Sequence, residues 1–166
     1  HLGQGPAHCP TGFDYWCVLP GQGKYHDPEM YEMDPHSKIT CKGYVTDIIT
    51  DKSIDWIKSR EKDRPFCLLC HHKAPHRNWE PDDKHAHMYD GVDILEPETF
   101  HDDYAGRPAA EAATMRIDRD MVLKDHKVPV PDGLSPAEVK SWKYQRYIKD
   151  YLRVVASIDD NVGRLL

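Results

Sequence analysis

No run of apolar residues in this chain is long enough to span a bilayer, and the sequence carries no initiator Met and no signal peptide. A membrane-spanning helix is therefore not expected. Basic residues are outnumbered: 22 Lys and Arg face 28 Asp and Glu, for a net charge of −6. Generic nucleic-acid binding needs a basic footprint, which this balance does not provide. There is no internal repeat and no low-complexity tract. Gly21-Gln22-Gly23 is the nearest approach to a glycine-rich loop, but it is too short and too far from a strand–helix junction to cradle phosphate. Cysteines number five, an odd count that fixes no redox compartment and suits buried thiols.

What is present describes a polar, loop-rich globular segment. Charged residues make up 30% of the chain, and 13 prolines and 10 glycines punctuate it. Its mean hydropathy is −0.74. By size the 166 residues suit a single domain. The first 45 residues read as a long irregular excursion broken by Pro6, Pro10, Pro20, Pro28 and Pro35. Trp16, Tyr15, Tyr25 and Tyr31 indicate that it is packed. Thr46 is expected to cap a helix running to Arg60, with Val45, Ile48, Ile49, Trp56 and Ile57 near one face. The apolar run 66–70 has the length of an interior strand, and strand after helix implies α/β alternation.

Residues 77–134 read as mostly irregular, with a short helix near 108–120 and a proline-rich connector at 129–136. Ser135-Pro136-Ala137-Glu138 then has the form of a helix start: Ser as N-cap, Pro in the first turn, Glu placed for a capping box. Beyond it, Tyr144, Tyr147, Ile148, Tyr151, Leu152, Val155, Ile158, Val162 and Leu165 recur at helical spacing. The pattern is unfinished at Leu166, which reads as an internal slice of a longer chain.

Chemistry concentrates just after the 66–70 run. His71, His72, Lys73, His76 and Arg77 fall within seven residues, reversing the overall charge locally. Ligands of parallel α/β sheets bind beyond the carboxyl ends of strands, so this cluster reads as a receiver for an anionic substrate.

Lys73-Ala74-Pro75-His76-Arg77-Asn78-Trp79-Glu80-Pro81 resembles the second-histidine motif of the formylglycine-dependent sulfatases, of the alkaline phosphatase superfamily. Three further stretches agree in order. His1-Leu2-Gly3 resembles the end of the family's Gly-Lys-Trp-His-Leu-Gly motif, and Gly12-Phe13-Asp14-Tyr15-Trp16 follows at the usual short distance. Ser157-Ile158-Asp159-Asp160-Asn161-Val162-Gly163-Arg164-Leu165-Leu166 resembles the helix leading to the second half of the domain.

The resemblance implies a fold and a chemistry. The fold is α/β, a portion of an alkaline-phosphatase-like sulfatase domain with a mixed central sheet and flanking helices. Residues 1–166 form a partial catalytic domain truncated at both ends. The resemblance implies a parent enzyme that hydrolyses sulfate esters, with carbohydrate substrates by family tendency. His76 matches the histidine that contacts the sulfate and the leaving-group oxygen. His1 matches the histidine that accepts a proton from the sulfated diol. Lys73 and Arg77 are the candidate substrate ligands. The partner is a sulfated small molecule or glycan, with no nucleic acid and no membrane. Export, for instance to a periplasm, follows from the resemblance alone.

Other family features have no counterpart here. The nucleophile comes from a Cys/Ser-x-Pro-x-Arg motif converted to formylglycine, and none of Cys9, Cys17, Cys41, Cys67 or Cys70 begins that pattern. The calcium ligands of the family likewise lie outside this segment, so no metal ligand is assigned within it. Asp159-Asp160-Asn161 reads as the solvent-facing side of a helix, because a hard cation needs oxygens converging from several segments. The chain by itself is therefore expected to be inactive and to fold poorly alone, with sheet edges unpaired.

Three other readings remain open. A phosphodiesterase or phosphonate hydrolase of the same superfamily would share fold and histidines. A non-catalytic metal-binding module could draw on Cys67, Cys70, His71, His72, His85 and His87 for tetrahedral zinc. Cys67-Leu68-Leu69-Cys70-His71 spells the c-type haem pattern. On a strand, however, positions three apart face opposite ways, which disfavours haem and a redox pair alike. His85 and His87 otherwise belong on a surface segment.

Overall fold

The structure, a computed structural model, describes residues 8–166. It divides into two compact units: residues up to 76 together with 155–166, and residues 77–154.

In the first unit, three short strands form an antiparallel sheet in the order β1 (Cys17–Val18), β2 (Glu29–Glu32), β3 (Lys38–Thr40). Cys17 pairs with Glu32 and Met30 with Ile39. The sequence reads this region as irregular, because strands of two to four residues are too short to show alternation. One position still alternates as a half-buried strand should: Met30 is buried between partly exposed Glu29 and Tyr31.

Helix α1 (Val45–Ser59) follows. Its N-cap is Tyr44, two residues before the expected Thr46. The Val45 N–H donates to the Tyr25 carbonyl at 2.8 Å, so a backbone bond does the work of a side-chain cap. The buried face is Val45, Thr46, Thr50 and Ser53, more polar than the expected isoleucine stripe. Two of these hydroxyls, those of Thr50 and Ser53, bond back to their own helix. Thr50 donates to the Thr46 carbonyl at 3.0 Å and Ser53 to the Ile49 carbonyl at 2.8 Å. Asp47 in the first turn and Lys58 in the last suit the helix dipole.

The 66–70 run is not a strand. A strand exists only through its ladder to a neighbour, and the described residues place no second strand beside this one. Phe66 packs instead against Trp56, ring centroids 5.7 Å apart, with the Arg60 guanidinium 4.1 Å over its ring.

Helix α5 (Pro136–Leu165) begins in the second unit and ends in the first. Its last turns bury Ser157 and Asn161. The expectation that Asn161 faces solvent is corrected. Its amide donates to Asp47 at 2.7 Å and to the Ser157 carbonyl at 2.9 Å, partners that make burial tolerable. Asp159 is exposed, as expected.

The second unit has three short helices, α2 (Pro108–Ala112), α3 (Ile117–Asp120) and α4 (Leu123–His126), before α5. The α5 start follows the sequence reading. The Ser135 N–H donates to the Glu138 carboxylate at 2.8 Å, and the Glu138 N–H to the Ser135 hydroxyl at 3.4 Å. The irregular stretches are fixed by α5 side chains. Gln145 clamps Ile94 through both backbone groups, at 3.0 and 2.7 Å, and Lys143 donates to the Asp118 and Met121 carbonyls.

Asp150 and Arg153, both buried, pair at 2.8 Å, and Arg153 reaches Asp90 at 2.6 Å. His85, expected at the surface, is buried against Asp82 with Nδ1 at 2.7 Å, whereas His87 is exposed. No helix of the described residues is long and apolar enough to cross a membrane.

Candidate functional site

A cleft of about 340 Å³ opens in the first unit, and both Lys73 and His76 line it. They belong to one turn, closed by the His76 N–H donating to the Lys73 carbonyl at 2.9 Å. Two features from the irregular N-terminal stretch hold this turn. Tyr25, 1% exposed, donates its hydroxyl to the His76 carbonyl at 2.6 Å. The Lys73 ammonium donates to the Gln22 carbonyl at 2.9 Å and lies 4.6 Å from the Tyr25 ring centroid. His76 is itself exposed, so its imidazole is accessible from the cleft.

The rest of the cleft wall is nearly neutral. Lys52 holds both Glu32 oxygens at 2.8 Å, and the Tyr15 hydroxyl donates to the same carboxylate. Burial would raise the Glu32 carboxyl, but these two donors hold it below the ordinary range. Burial would lower Lys52, yet Glu32 keeps it above its usual value. The Tyr15 hydroxyl is raised, by burial and then by its bond to Glu32. Burial pushes the Cys17 thiol up to about 12. Burial lowers the His72 imidazole below its ordinary value, and its Nδ1 is buried with no hydrogen-bond partner among the described residues. An anion entering this cleft meets an internally compensated Lys52–Glu32 pair, and the donors suited to it are the Lys73 ammonium and the His76 imidazole.

Arg77 belongs to the second unit. Its guanidinium forks onto Asp125, Nε donating to Oδ1 at 2.5 Å and Nη2 to Oδ2, and Nη2 also reaches the Asp120 carbonyl at 3.2 Å. Asn78 donates to the same carboxylate, and the Val122 N–H closes on it at 2.9 Å. Burial alone would raise the Asp125 carboxyl, but the Arg77 and Val122 donors hold it below its ordinary value. Trp79 stacks on Tyr147, centroids 4.5 Å apart, in a packing role.

The structure thus brings Lys73 and His76 to one cleft and commits the Arg77 fork to a buried carboxylate. His1 lies outside the described residues. Tyr25, Gln22 and Asp125 were not legible as site residues. Each is roughly fifty positions from its partner, and only the turn-forming Pro20-Gly21-Gln22-Gly23 hinted that this loop is specifically shaped.

The zinc reading finds no support: among the described residues no three His, Cys, Asp or Glu are grouped to hold a metal. The same finding applies to calcium. The described residues do not supply a hard-cation site, so no step here is assigned to one.

The sulfatase family model matches residues 3–166. The chain is 37% identical over 201 aligned positions to the N-acetylglucosamine-6-O-sulfatase of Bacteroides thetaiotaomicron, across 95% of this chain and 36% of that protein. It is 26% identical over 94 positions to the N-acetylglucosamine-6-sulfatase of Capra hircus, across 53% of this chain and 16% of the relative. The solved structure of BT4656 in complex with its substrate D-glucosamine-2-N,6-O-disulfate superposes with a TM-score of 0.88 at 34% identity, covering 99% of this chain and 42% of that one. The chain spans about a third of the first relative it matches.

Proposed function

The chain belongs to the sulfatase family, and from that premise we propose that its parent protein hydrolyses sulfate esters on carbohydrates. Its α/β fold is part of an alkaline-phosphatase-like sulfatase domain. Residues 1–166 serve as a partial catalytic domain. The substrate class is narrowed by the names of the relatives to a glucosamine or N-acetylglucosamine carrying a 6-O-sulfate.

The observation that carries the proposal is the convergence of Lys73 and His76 on one cleft through a turn held by Tyr25 and Gln22. The Lys73 ammonium donates to a sulfate oxygen and offsets its charge. His76, protonated, donates a hydrogen bond to the leaving-group oxygen and passes its proton to the departing alkoxide. His1 is assigned the second histidine's role by resemblance. Arg77 is proposed as a substrate ligand by resemblance alone, its guanidinium being engaged by Asp125 in the second unit. Formylglycine would supply the nucleophile and a calcium ion further positive charge, both from residues other than those described here. Export to an extracytoplasmic compartment follows the same resemblance.

The test is sulfate release from N-acetylglucosamine 6-sulfate by the parent protein. His76→Ala is expected to lower kcat by about 10²–10⁴-fold. Lys73→Met is expected to raise KM by roughly 10-fold or more, the value of one charge-assisted hydrogen bond. Turnover of a phosphodiester or phosphonate in place of the sulfate ester would transfer the assignment to the other hydrolases of the superfamily.

A further inference from the structure

We propose that Tyr25 is a positioning residue for the sulfatase reaction, its hydroxyl placing His76 and its ring placing Lys73. The inference rests on the functional reading above and deepens it. Tyr25 is almost wholly buried, and it lies 51 positions before the histidine it serves. Burying a phenol is unfavourable unless its hydroxyl finds an acceptor, and here the acceptor is the main-chain carbonyl of His76, at 2.6 Å. That carbonyl sits on the same residue whose N–H closes the turn onto Lys73. Tyr25 therefore fixes the carbonyl side of His76, and the turn fixes its amide side. An imidazole anchored through both backbone groups of its own residue has only its side-chain torsions left to set.

The ring does a second task. The Lys73 ammonium rests 4.6 Å from the Tyr25 centroid while it donates to the Gln22 carbonyl at 2.9 Å. An aromatic face attracts a cation without neutralising it. The ring thereby helps hold the ammonium in place without compensating its charge. Tyr25 is itself braced: its carbonyl receives the Val45 N–H at 2.8 Å, and its ring stacks on Tyr44 with centroids 6.0 Å apart. The first turn of α1 is thus the rigid base from which both groups are aimed.

The two tasks separate by substitution. Tyr25→Phe keeps the ring and its packing and removes only the hydroxyl. It is expected to lower kcat by about 10- to 100-fold, the scale of a displacement of roughly 1 Å at the chemistry, with KM unchanged. The midpoints of the pH–rate profile should stay where they are, because the hydroxyl acts on position and not on charge. Tyr25→Leu removes the ring as well and should add a rise in KM of about 2- to 5-fold as Lys73 loses its support.

A merely structural role would scale activity with the folded fraction. Rates are therefore normalised to the fraction folded in the same buffer, and Tyr25→Phe is repeated in the His76→Ala background. There it should cost nothing further in kcat, since the group it positions is gone. Full kcat in Tyr25→Phe, or an equal loss with and without His76, would overturn this inference while leaving the sulfatase reading intact. A wild-type parent protein that releases no sulfate would overturn both.

Discussion

Replacing Asp125 with alanine removes one carboxylate and strands three donors in the second unit: the Arg77 fork, the Asn78 amide and the Val122 N–H. The Asp125 side chain is fully buried and that of Arg77 is 45% exposed. Breaking a buried pair costs about 3–5 kcal/mol, chiefly because the surviving charge is left without a partner. Here the survivor is half in water and rehydrates, which places the loss near the lower end, about 3 kcal/mol. That corresponds to roughly 10²-fold faster hydrogen exchange at amides protected by this network, Val122 N–H and α4 foremost.

The pH dependence has a definite sign. The Asp125 carboxyl is held below its ordinary value in the folded state. Its contribution is fully present above the unfolded carboxyl value near about 3.9, and it is lost as pH falls through the depressed native value. The gap between wild type and Asp125→Ala, measured as amide protection at matched intrinsic exchange, should be wide at neutral pH and close in acid. Equal protection at neutral pH, or a gap that persists in strong acid, would refute the reasoning.

Three further outcomes are expected. Cys17, raised to about 12 by burial, should resist iodoacetamide near neutral pH while exposed Cys67 is alkylated first, as peptide mass spectrometry would resolve. Ser135→Ala removes the hydroxyl that caps α5 and should cost about 1 kcal/mol, read as roughly fivefold faster exchange in the first turn. Asn161→Ala removes the donor to Asp47 and should cost about 1–2 kcal/mol, seen as lost protection in the last turns of α5.

Sequence alone placed some elements well, and the reasons are physical. Helix α5 was legible because its start is written locally, in Ser135, Pro136 and Glu138, and its period runs for many turns. Helix α1 was legible in extent but not in cap or face, since its start is fixed by the Tyr25 carbonyl and its buried residues are small hydroxyls. The sheet β1–β3 was invisible at two to four residues per strand. The 66–70 run has the length and apolarity of an interior strand, but composition cannot supply the neighbouring strand it would need.

Lys73 and His76 stood out as a dense motif, and the cleft brings them together. Tyr25 and Gln22, which hold that turn, and Asp125, which holds Arg77 within the second unit, are ordinary residues distant in sequence, and only folding carries each to its partner. His85 and Asn161, expected at the surface, are buried, and each bonds a carboxylate, Asp82 and Asp47 respectively, a pairing that local sequence does not reveal.

The most direct test of the account is sulfate release from N-acetylglucosamine 6-sulfate by the parent protein, wild type against His76→Ala, at saturating substrate. The account predicts turnover by the wild type and a kcat lower by about 10²–10⁴-fold in the variant. A folded His76→Ala protein releasing sulfate at the wild-type rate would contradict it.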